Sequence, residues 1–249
     1  MDYTINNFDE FKKIINHEPY YGEPILPYTQ NDDINELNDY FNNKSVCIVG
    51  PAPNLIDKNK GEEIDNYDIV CKVGQMYNMN DSLNYGKRMD VLFNGCFVNI
   101  EPIEKYLNKN IKKVITPIKP CMPGILDIHK RDLWNYYNYL KKNIKLYENI
   151  DFYNVGIISC LFDNEINTRA TLGTFSINFL LKQNLNKLGI YGFTWYQNGL
   201  YHPEYGQDYF CSHGVTHDLE KTLLKKKIEQ TKFPIYLNNE VKQSLYKTL

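Results

Sequence analysis

The chain has 249 residues, of which 43% are hydrophobic and 14% aromatic, and its formal net charge is -2. This length suits one large domain with a substantial core, and a charge so close to zero gives no reason to expect a nucleic acid or an anionic membrane as partner. The six cysteines form no CxxC pair and have no spacing to histidine that suits zinc, which argues against a structural zinc site.

The sequence also lacks the features of a membrane-anchored or exported protein. No stretch approaches the roughly 18 consecutive apolar residues of a spanning helix. The first residues carry acids where a signal peptide carries bases. Several cysteines lie in apolar runs, where a free thiol behaves as a small buried hydrophobe, and this usage fits a reducing compartment. We therefore expect a soluble, cytoplasmic protein.

The first 44 residues are polar and contain two short helical patterns, at 8–15 and 34–41, separated by an extended stretch with two prolines. We interpret residues 1–44 as a helical extension that packs on a domain formed by residues 45–249. In that domain, apolar runs predict strands at 45–50, 67–74, 89–96, 112–118, 151–158 and 187–193. Helices are predicted at 125–144, 172–183 and about 216–230, and a short strand and helix complete the chain.

Strands that alternate with helices predict a single α/β domain with a Rossmann-like, mostly parallel sheet and helices on both faces. Such sheets bind ligands beyond the carboxyl ends of their strands. The turns after Gly50, Gly74, Asn94 and Phe193 are therefore the candidate sites.

The turn after the first strand is rich in proline and has only one of the glycines of a GxGxxG fingerprint. The longer stretch around it resembles the long sialyl motif of the animal-type sialyltransferases. That motif has a strand ending in Gly, a turn with Asn-Leu, a Gly-x-Glu-Ile-Asp segment and a strand beginning Asp-x-Val. The matching elements here are Gly50, Asn54-Leu55, Gly61-Glu62-Glu63-Ile64-Asp65 and Asp68-Ile69-Val70.

The short sialyl motif of the same family has a counterpart in Thr171-Leu172-Gly173, which opens a helix, and in Tyr191-Gly192-Phe193 after the next strand. A threonine hydroxyl and the backbone N–H groups at a helix start can bind a phosphate. The same residues can also form an ordinary helix cap with a glycine for close packing, and both interpretations stay open here.

Two histidines resemble those of the later family motifs. His202 follows Gly192 among aromatic residues, and His217 precedes Glu220 by three positions, which places the two on one helix face. By resemblance, His217 is the general base and His202 steadies the departing phosphate. A neutral imidazole is favoured in the first turn of a helix, where it can accept a proton. His213 lies close by, and each histidine also suits a packing or surface role.

The resemblance implies a variant A-type glycosyltransferase fold. It also implies an inverting, metal-independent transfer of sialic acid or a related sugar from a CMP-sugar to a glycan hydroxyl, with no further cofactor. The partners are then the nucleotide-sugar donor and the glycan acceptor. The donor contacts that it implies are Gly50, Asn54, Gln75, Asn94, Thr171, Gly173 and Thr174. Candidate phosphate or acceptor contacts are Arg169, Trp195, Tyr201 and Glu220.

The sequence departs from the family at two donor-binding asparagines, which are Pro51 and Gly74 here, and at two disulfide cysteines, which are Val46 and Leu185. The missing disulfide and the missing membrane anchor suit a cytosolic viral or microbial relative. The alternatives are a transferase for another nucleotide-sugar, a catalytically inactive nucleotide- or carbohydrate-binding relative and, least supported, a nicotinamide-dependent oxidoreductase.

Two further features have two interpretations each, and a third has one. The aromatic residues of the loop after Phe193 either stack on sugar rings or pack the loop. Lys87 and Arg88 either attract the donor or form surface charge. The remaining lysine clusters, at 112–113 and 225–227, are interpreted as solvated faces.

Overall fold

A computed structural model describes residues 31–74, 76, 79–95, 111–117, 151–167, 170–195, 202 and 214–246. These residues contain the strands β1 (Ser45–Val49), β2 (Ile69–Val73), β3 (Val91–Phe93), β4 (Lys113–Thr116), β5 (Asp151–Asn154), β6 (Lys187–Tyr191) and β7 (Ile235–Leu237). They also contain the helices α1 (Asn31–Phe41), α2 (Gly61–Asp65), α3 (Ser82–Tyr85), α4 (Gly156–Ile166), α5 (Leu172–Leu181), α6 (Gly214–Gln230) and α7 (Asn239–Tyr246). A short 3-10 helix spans Pro53–Leu55.

The seven strands form one sheet in the order β5-β4-β3-β2-β1-β6-β7, and every pair is parallel. The chain builds outward from β1 to β5 and then returns to place β6 on the other side of β1. The strand order therefore reverses between β1 and β6, and in open α/β sheets this is where ligands bind.

The alternation of side chains along the strands divides the core into two layers. Val46 and Ile48 of β1 face α1 and α5, while Cys47 and Val49 face α2 and α3. Every residue of β1 and β2 is buried, because both faces of the sheet are covered. Strands buried on both faces carry near-continuous apolar runs, as these two do. The α/β architecture with a parallel sheet and helices on both faces is the predicted one.

The predicted fifth strand is too long. The run from 151 to 158 is rich in apolar and aromatic residues and therefore predicts one strand, but β5 ends at Asn154 and α4 begins at Gly156. Hydrophobic periodicity alone cannot distinguish a short buried strand from part of a buried helix. Here Phe162 and Ile166, four residues apart, lie on the buried side of a helix that the sequence analysis did not predict.

Lys113 corrects the interpretation of residues 112–113 as a solvated face. Its side chain is buried, and its ammonium donates to Asp151 at 2.7 Å, to the Tyr153 hydroxyl at 2.9 Å and to Glu36 at 3.3 Å. Glu36 belongs to α1, so this cluster ties the helix to β4 and β5.

The first helical pattern, at 8–15, and the long helix predicted at 125–144 lie outside the described residues. The second pattern corresponds to α1, whose Leu37 and Phe41 are buried in the common core. The division of the chain at residue 44 remains a prediction. Among the described helices, none is long and apolar enough to cross a bilayer.

Candidate active site

The carboxyl ends of β1 and β6 meet at two glycines. The Gly50 N–H donates to the Tyr191 carbonyl at 2.9 Å, and the Ala52 N–H donates to the Gly192 carbonyl at 3.0 Å. Gly192 has φ +68°, and a Cβ there would overlap the Gly50 carbonyl. Only glycine combines that conformation with so close an approach, so these residues bring the turns after the two strands into contact.

Asn54 lies in the turn after β1 and connects it to the turn after β6. Its Nδ2 donates to the Phe193 carbonyl at 3.4 Å, which orients the amide. Its Oδ1 is buried and has no hydrogen-bond partner. Leaving such an acceptor unpaired costs about 1–3 kcal/mol. An N–H or O–H group of a ligand in the cleft would remove that cost, so the geometry fits the predicted ligand contact.

His202 is buried against the same turn. Its backbone N–H donates to the Pro51 carbonyl at 2.7 Å, and its ring meets that of Tyr85 edge-on at 5.1 Å. Its Nε2 lies 3.3 Å from Oδ2 of Asp81. Tyr85 in turn donates to the Ala52 carbonyl at 2.6 Å, and burial raises the pKa of this phenol above its ordinary value, so it remains a donor at neutral pH.

The start of α5 approaches the cleft from the other face of the sheet. Thr171 is the N-cap of this helix and accepts from the Thr174 N–H at 3.4 Å. A Cβ on Gly173 would lie 2.8 Å from the ring of Phe193, so the absence of a side chain lets that ring pack on the helix. Phe193 thus joins the first turn of α5 to the turn after β6.

Glu220 of α6 occupies this helix start. Its carboxylate accepts from the Thr171 N–H at 2.6 Å, from the Thr171 hydroxyl at 3.0 Å and from the Thr174 hydroxyl at 2.6 Å. The side chain is fully buried. A negative group here is favoured by the helix dipole and satisfies N–H and O–H donors that a phosphate would otherwise use.

Trp195 continues the same network. Its Nε1–H donates to the Thr174 hydroxyl oxygen at 3.3 Å, and its ring lies 6.2 Å from that of Phe193. The residue is buried in the main core. At this position the packing interpretation of the loop aromatics is confirmed. The predicted acceptor contact of Trp195 remains a prediction.

The basic pair at 87–88 does not belong to this edge of the sheet. The Arg88 guanidinium donates to the carbonyls of Asp65, Tyr67 and Asp68 and to the Asp90 carboxylate, at 2.6–2.9 Å. Asp68 and Asp90 precede β2 and β3, so these contacts lie at the amino ends of the strands. Arg88 therefore holds the connections before β2 and β3 together, and the interpretation that it attracts the donor is wrong.

No protein-family model matches the sequence, and no curated protein matches it. Solved structures do match. A mammalian sialyltransferase in complex with Gal-β-1-3GalNAc-ortho-nitrophenol is 14% identical, with a TM-score of 0.52 over 94% of this chain and 81% of that chain. The monofunctional α-2,3-sialyltransferase Cst-I from Campylobacter jejuni is 13% identical, with a TM-score of 0.50 over 92% of this chain and 87% of that chain. A variant of the sialyltransferase CST-II in complex with CMP is 15% identical, with a TM-score of 0.51 over 83% of this chain and 89% of that chain.

The chain has the fold of the sialyltransferases. The resemblance drawn from the two sialyl motifs is thus confirmed for the fold. Within this sialyltransferase fold, both motifs lie at the reversal point of the sheet.

The sialyltransferase fold brings most of the predicted residues into one continuous set of contacts. The members are Gly50, Asn54, Thr171, Gly173, Thr174, Trp195, His202 and Glu220. Asn94 follows β3 at the same edge, two strands from β1, and is buried. The backbone of His217 lies in α6, three residues before Glu220, and its side chain lies outside the described part. Gln75, Arg169 and Tyr201 lie outside the described residues.

Asp81 and Tyr85 are site residues that the sequence did not predict. Asp81 is recognisable as a helix N-cap, since Asp is favoured before a short helix. Nothing in the sequence links it to His202, 121 residues away. The described residues contain no group of three or more His, Cys, Asp or Glu that could hold a metal ion, and metal independence remains a prediction.

Proposed function

We propose that this chain is a glycosyltransferase that moves sialic acid or a related acidic sugar from a CMP-sugar donor to a glycan hydroxyl. The observation that carries the proposal is the continuous contact from the turn after Gly50, through Phe193, to the start of α5 and Glu220, with His202 on the other side of the turn. The turn after Gly50, Phe193 and the start of α5 are positions of the two sialyl motifs, and His202 and Glu220 are positions of the later motifs. In open α/β sheets this edge binds ligands.

The chemistry of the known structures supports the choice of donor and acceptor. One matching sialyltransferase was crystallised with CMP and another with a galactose-containing disaccharide derivative. In this chain the buried Oδ1 of Asn54 is the proposed acceptor for an O–H or N–H group of the nucleotide. Asn94 and Gln75 are further proposed donor contacts along the same edge.

The proposed reaction is an inverting displacement without a metal. His217 takes the proton of the acceptor hydroxyl as that oxygen attacks the anomeric carbon and the bond to the CMP phosphate breaks. His202 stabilises the departing phosphate. Glu220 already takes the N–H and O–H donors at the start of α5, so we do not assign the phosphate to this helix start. Thr171, Gly173 and Thr174 stay proposed contacts of other parts of the donor, with Arg169, Trp195 and Tyr201 as further proposed contacts.

A thermal-shift comparison of CMP, UDP, GDP and NAD tests the donor. Stabilisation by CMP alone is expected, because a ligand that binds only the folded state raises the melting temperature. Stabilisation by UDP or GDP would instead indicate that the donor is another nucleotide-sugar. Stabilisation by NAD would indicate an oxidoreductase. CMP binding without transfer to any acceptor in a glycan panel would indicate an inactive relative. Product configuration by NMR, and turnover measured with and without EDTA, test inversion and metal independence.

His217→Ala tests the general base. We expect turnover to fall by roughly 10²–10⁴-fold with CMP binding and the fold unchanged, since this is the usual contribution of a placed base. Leu219→Ala is the matched control, because Leu219 lies two residues further along α6 and its side chain is exposed. Near-normal turnover of the His217 variant contradicts the assignment, and His213→Ala then becomes the next variant to measure.

A further inference from the structure

The carboxylate of Asp81 is held in one orientation by hydrogen bonds from Asn84. It is the N-cap of α3, and its Oδ1 accepts from the Asn84 N–H at 3.3 Å. The Asn84 side-chain amide donates to both carboxylate oxygens at 3.0 Å. Asn84 is itself buried, and its Oδ1 accepts from the Asn59 N–H at 3.0 Å. The orientation of Asp81 therefore depends on α3 and on the segment before α2.

His202 is held independently of that carboxylate. Its backbone N–H donates to the Pro51 carbonyl, and its ring meets the ring of Tyr85 edge-on. These contacts fix the place of the imidazole, but neither decides which ring nitrogen carries the proton. One contact that bears on this is the 3.3 Å approach of Nε2 to Oδ2 of Asp81.

A carboxylate only accepts hydrogen bonds, so the nitrogen that faces it must carry the proton. We propose that Asp81 is a positioning residue that holds the His202 imidazole with a proton on Nε2. The hydrogen bond at one ring nitrogen generally decides the state of the other.

The consequence for transfer rests on the proposed function. A phosphate also only accepts, so Nδ1 must carry a proton to donate to it, and the ring is then an imidazolium. The Asp81 carboxylate balances that charge as negative charge develops on the leaving phosphate. Asp81 acts through His202 and needs no contact of its own with the donor.

Asp81→Asn separates this role from a structural one. With its oxygen in place of Oδ1, the amide keeps the hydrogen bonds from the Asn84 N–H and from one side of the Asn84 amide. Its NH2 group then takes the place of Oδ2, loses the second bond from the Asn84 amide and faces Nε2 of His202. A donor at that place requires Nε2 to accept, so the proton of the neutral ring moves to Nδ1. Asp81→Ser also keeps a cap but is too short to reach the ring.

The measurement is the imidazole nitrogen shifts of the full chain labelled with 15N-histidine, with the His202 signals assigned from their loss in His202→Gln. The parent is expected to show the Nε2–H form, Asp81→Asn the Nδ1–H form, and Asp81→Ser a mixture. Asp68→Asn is the control, because Asp68 accepts from the Ser45 N–H and hydroxyl at the opposite edge of the sheet. It is expected to leave the His202 signals unchanged.

An Nδ1–H form in the parent, or the same form in the parent and in Asp81→Asn, would overturn the proposal. If the chain transfers sialic acid, Asp81→Asn is also expected to lower kcat about 10- to 100-fold, the range for loss of a carboxylate that orients a functional histidine. KM should change little, since the charge balance matters most in the transition state. If the parent shows no transfer, the proposed function fails while the nitrogen shifts still decide the role of Asp81.

Discussion

At the scale of single residues, the hydroxyl of Thr174 forms hydrogen bonds with buried side chains of two other segments. It donates to the Glu220 carboxylate at 2.6 Å and accepts from Trp195 Nε1 at 3.3 Å. Glu220 and Trp195 are both buried, so neither partner can replace a lost hydrogen bond with one to bulk water. This hydroxyl thus couples α5 to α6 and to the turn after β6.

Thr174→Val keeps the shape of the side chain and removes this hydroxyl. We expect the free energy of unfolding to fall by about 1–3 kcal/mol, because a carboxylate and an indole N–H each lose a buried hydrogen bond. Ser176→Ala is the control: its hydroxyl donates to the Leu172 carbonyl within the helix, and its loss should cost less than about 1 kcal/mol. Urea unfolding measures both, and equal costs would contradict the bridging role of Thr174.

The sequence was enough to predict which residues form the candidate site, but it did not predict their hydrogen-bond partners. Motif spacing identified Asn54, Thr171, His202 and Glu220. It did not show that Glu220 pairs with Thr171 rather than with a ligand, because that contact joins residues 49 positions apart. Hydrogen-bond partners across such distances depend on how the helices pack, and local pattern carries no information about that.

At the scale of elements, the junction of β1 and β6 requires that two backbones touch. Gly192→Ala places a Cβ against the Gly50 carbonyl at φ +68°. The expected loss of stability exceeds the roughly 1–2 kcal/mol of the left-handed conformation alone, because neither backbone can move without shifting a strand.

Gly173→Ala provides the comparison. Its Cβ would meet only the Phe193 ring, and alanine gains about 0.5–1 kcal/mol over glycine within a helix. We expect a loss of unfolding free energy that is smaller than for Gly192→Ala, because the buried ring must shift but a side chain moves more readily than two backbones. CMP binding should also weaken, because Phe193 joins the start of α5 to the turn after β6. If thermal and urea unfolding gave similar losses for both variants, the close approach of the two turns would not be a determinant of stability.

The sequence predicted the bounds of a helix or strand correctly where a glycine or a helix-capping residue marks its end. Gly50 ends β1, Thr171 begins α5, and the observed bounds agree within a residue or two. At the boundary between β5 and α4 the residues of distinct chemistry are Asn154 and Gly156, but apolar residues lie on both sides of them, so the sequence did not show that the strand ends there. The chain changes there from strand to helix, and packing on the core decides where.

At the scale of the whole molecule, buried thiols and phenols make stability depend on alkaline pH. Burial raises the pKa of Cys47, Cys71, Tyr85 and Tyr191 above their ordinary values. In the unfolded chain these groups lose their protons near pH 8.5 for thiols and 10 for phenols. The folded state therefore binds more protons, and its stability is complete below about pH 8 and falls as the pH rises.

Urea unfolding at pH 7, 8.5 and 10 measures this dependence. The Cys47→Ala, Cys71→Ala double variant should lose the thiol part of the slope from about pH 8 up to pH 10, because over this whole range the unfolded thiols ionise while the folded ones stay protonated. An unchanged slope in the double variant would show that these two thiols do not contribute.

The sequence by itself determined the class of fold, the family that its motifs resemble and the residue types at the carboxyl edge of the sheet. These follow from hydrophobic periodicity and from short spacings, which are local. The tertiary structure alone decided the strand order, which places β6 beside β1 and so brings residues 50 and 192 together. It also decided that Asp81 faces His202, that Glu220 occupies the start of α5 and that Arg88 lies at the opposite edge. Each of these depends on contacts between distant segments, whose energies come from packing and burial that no local pattern encodes.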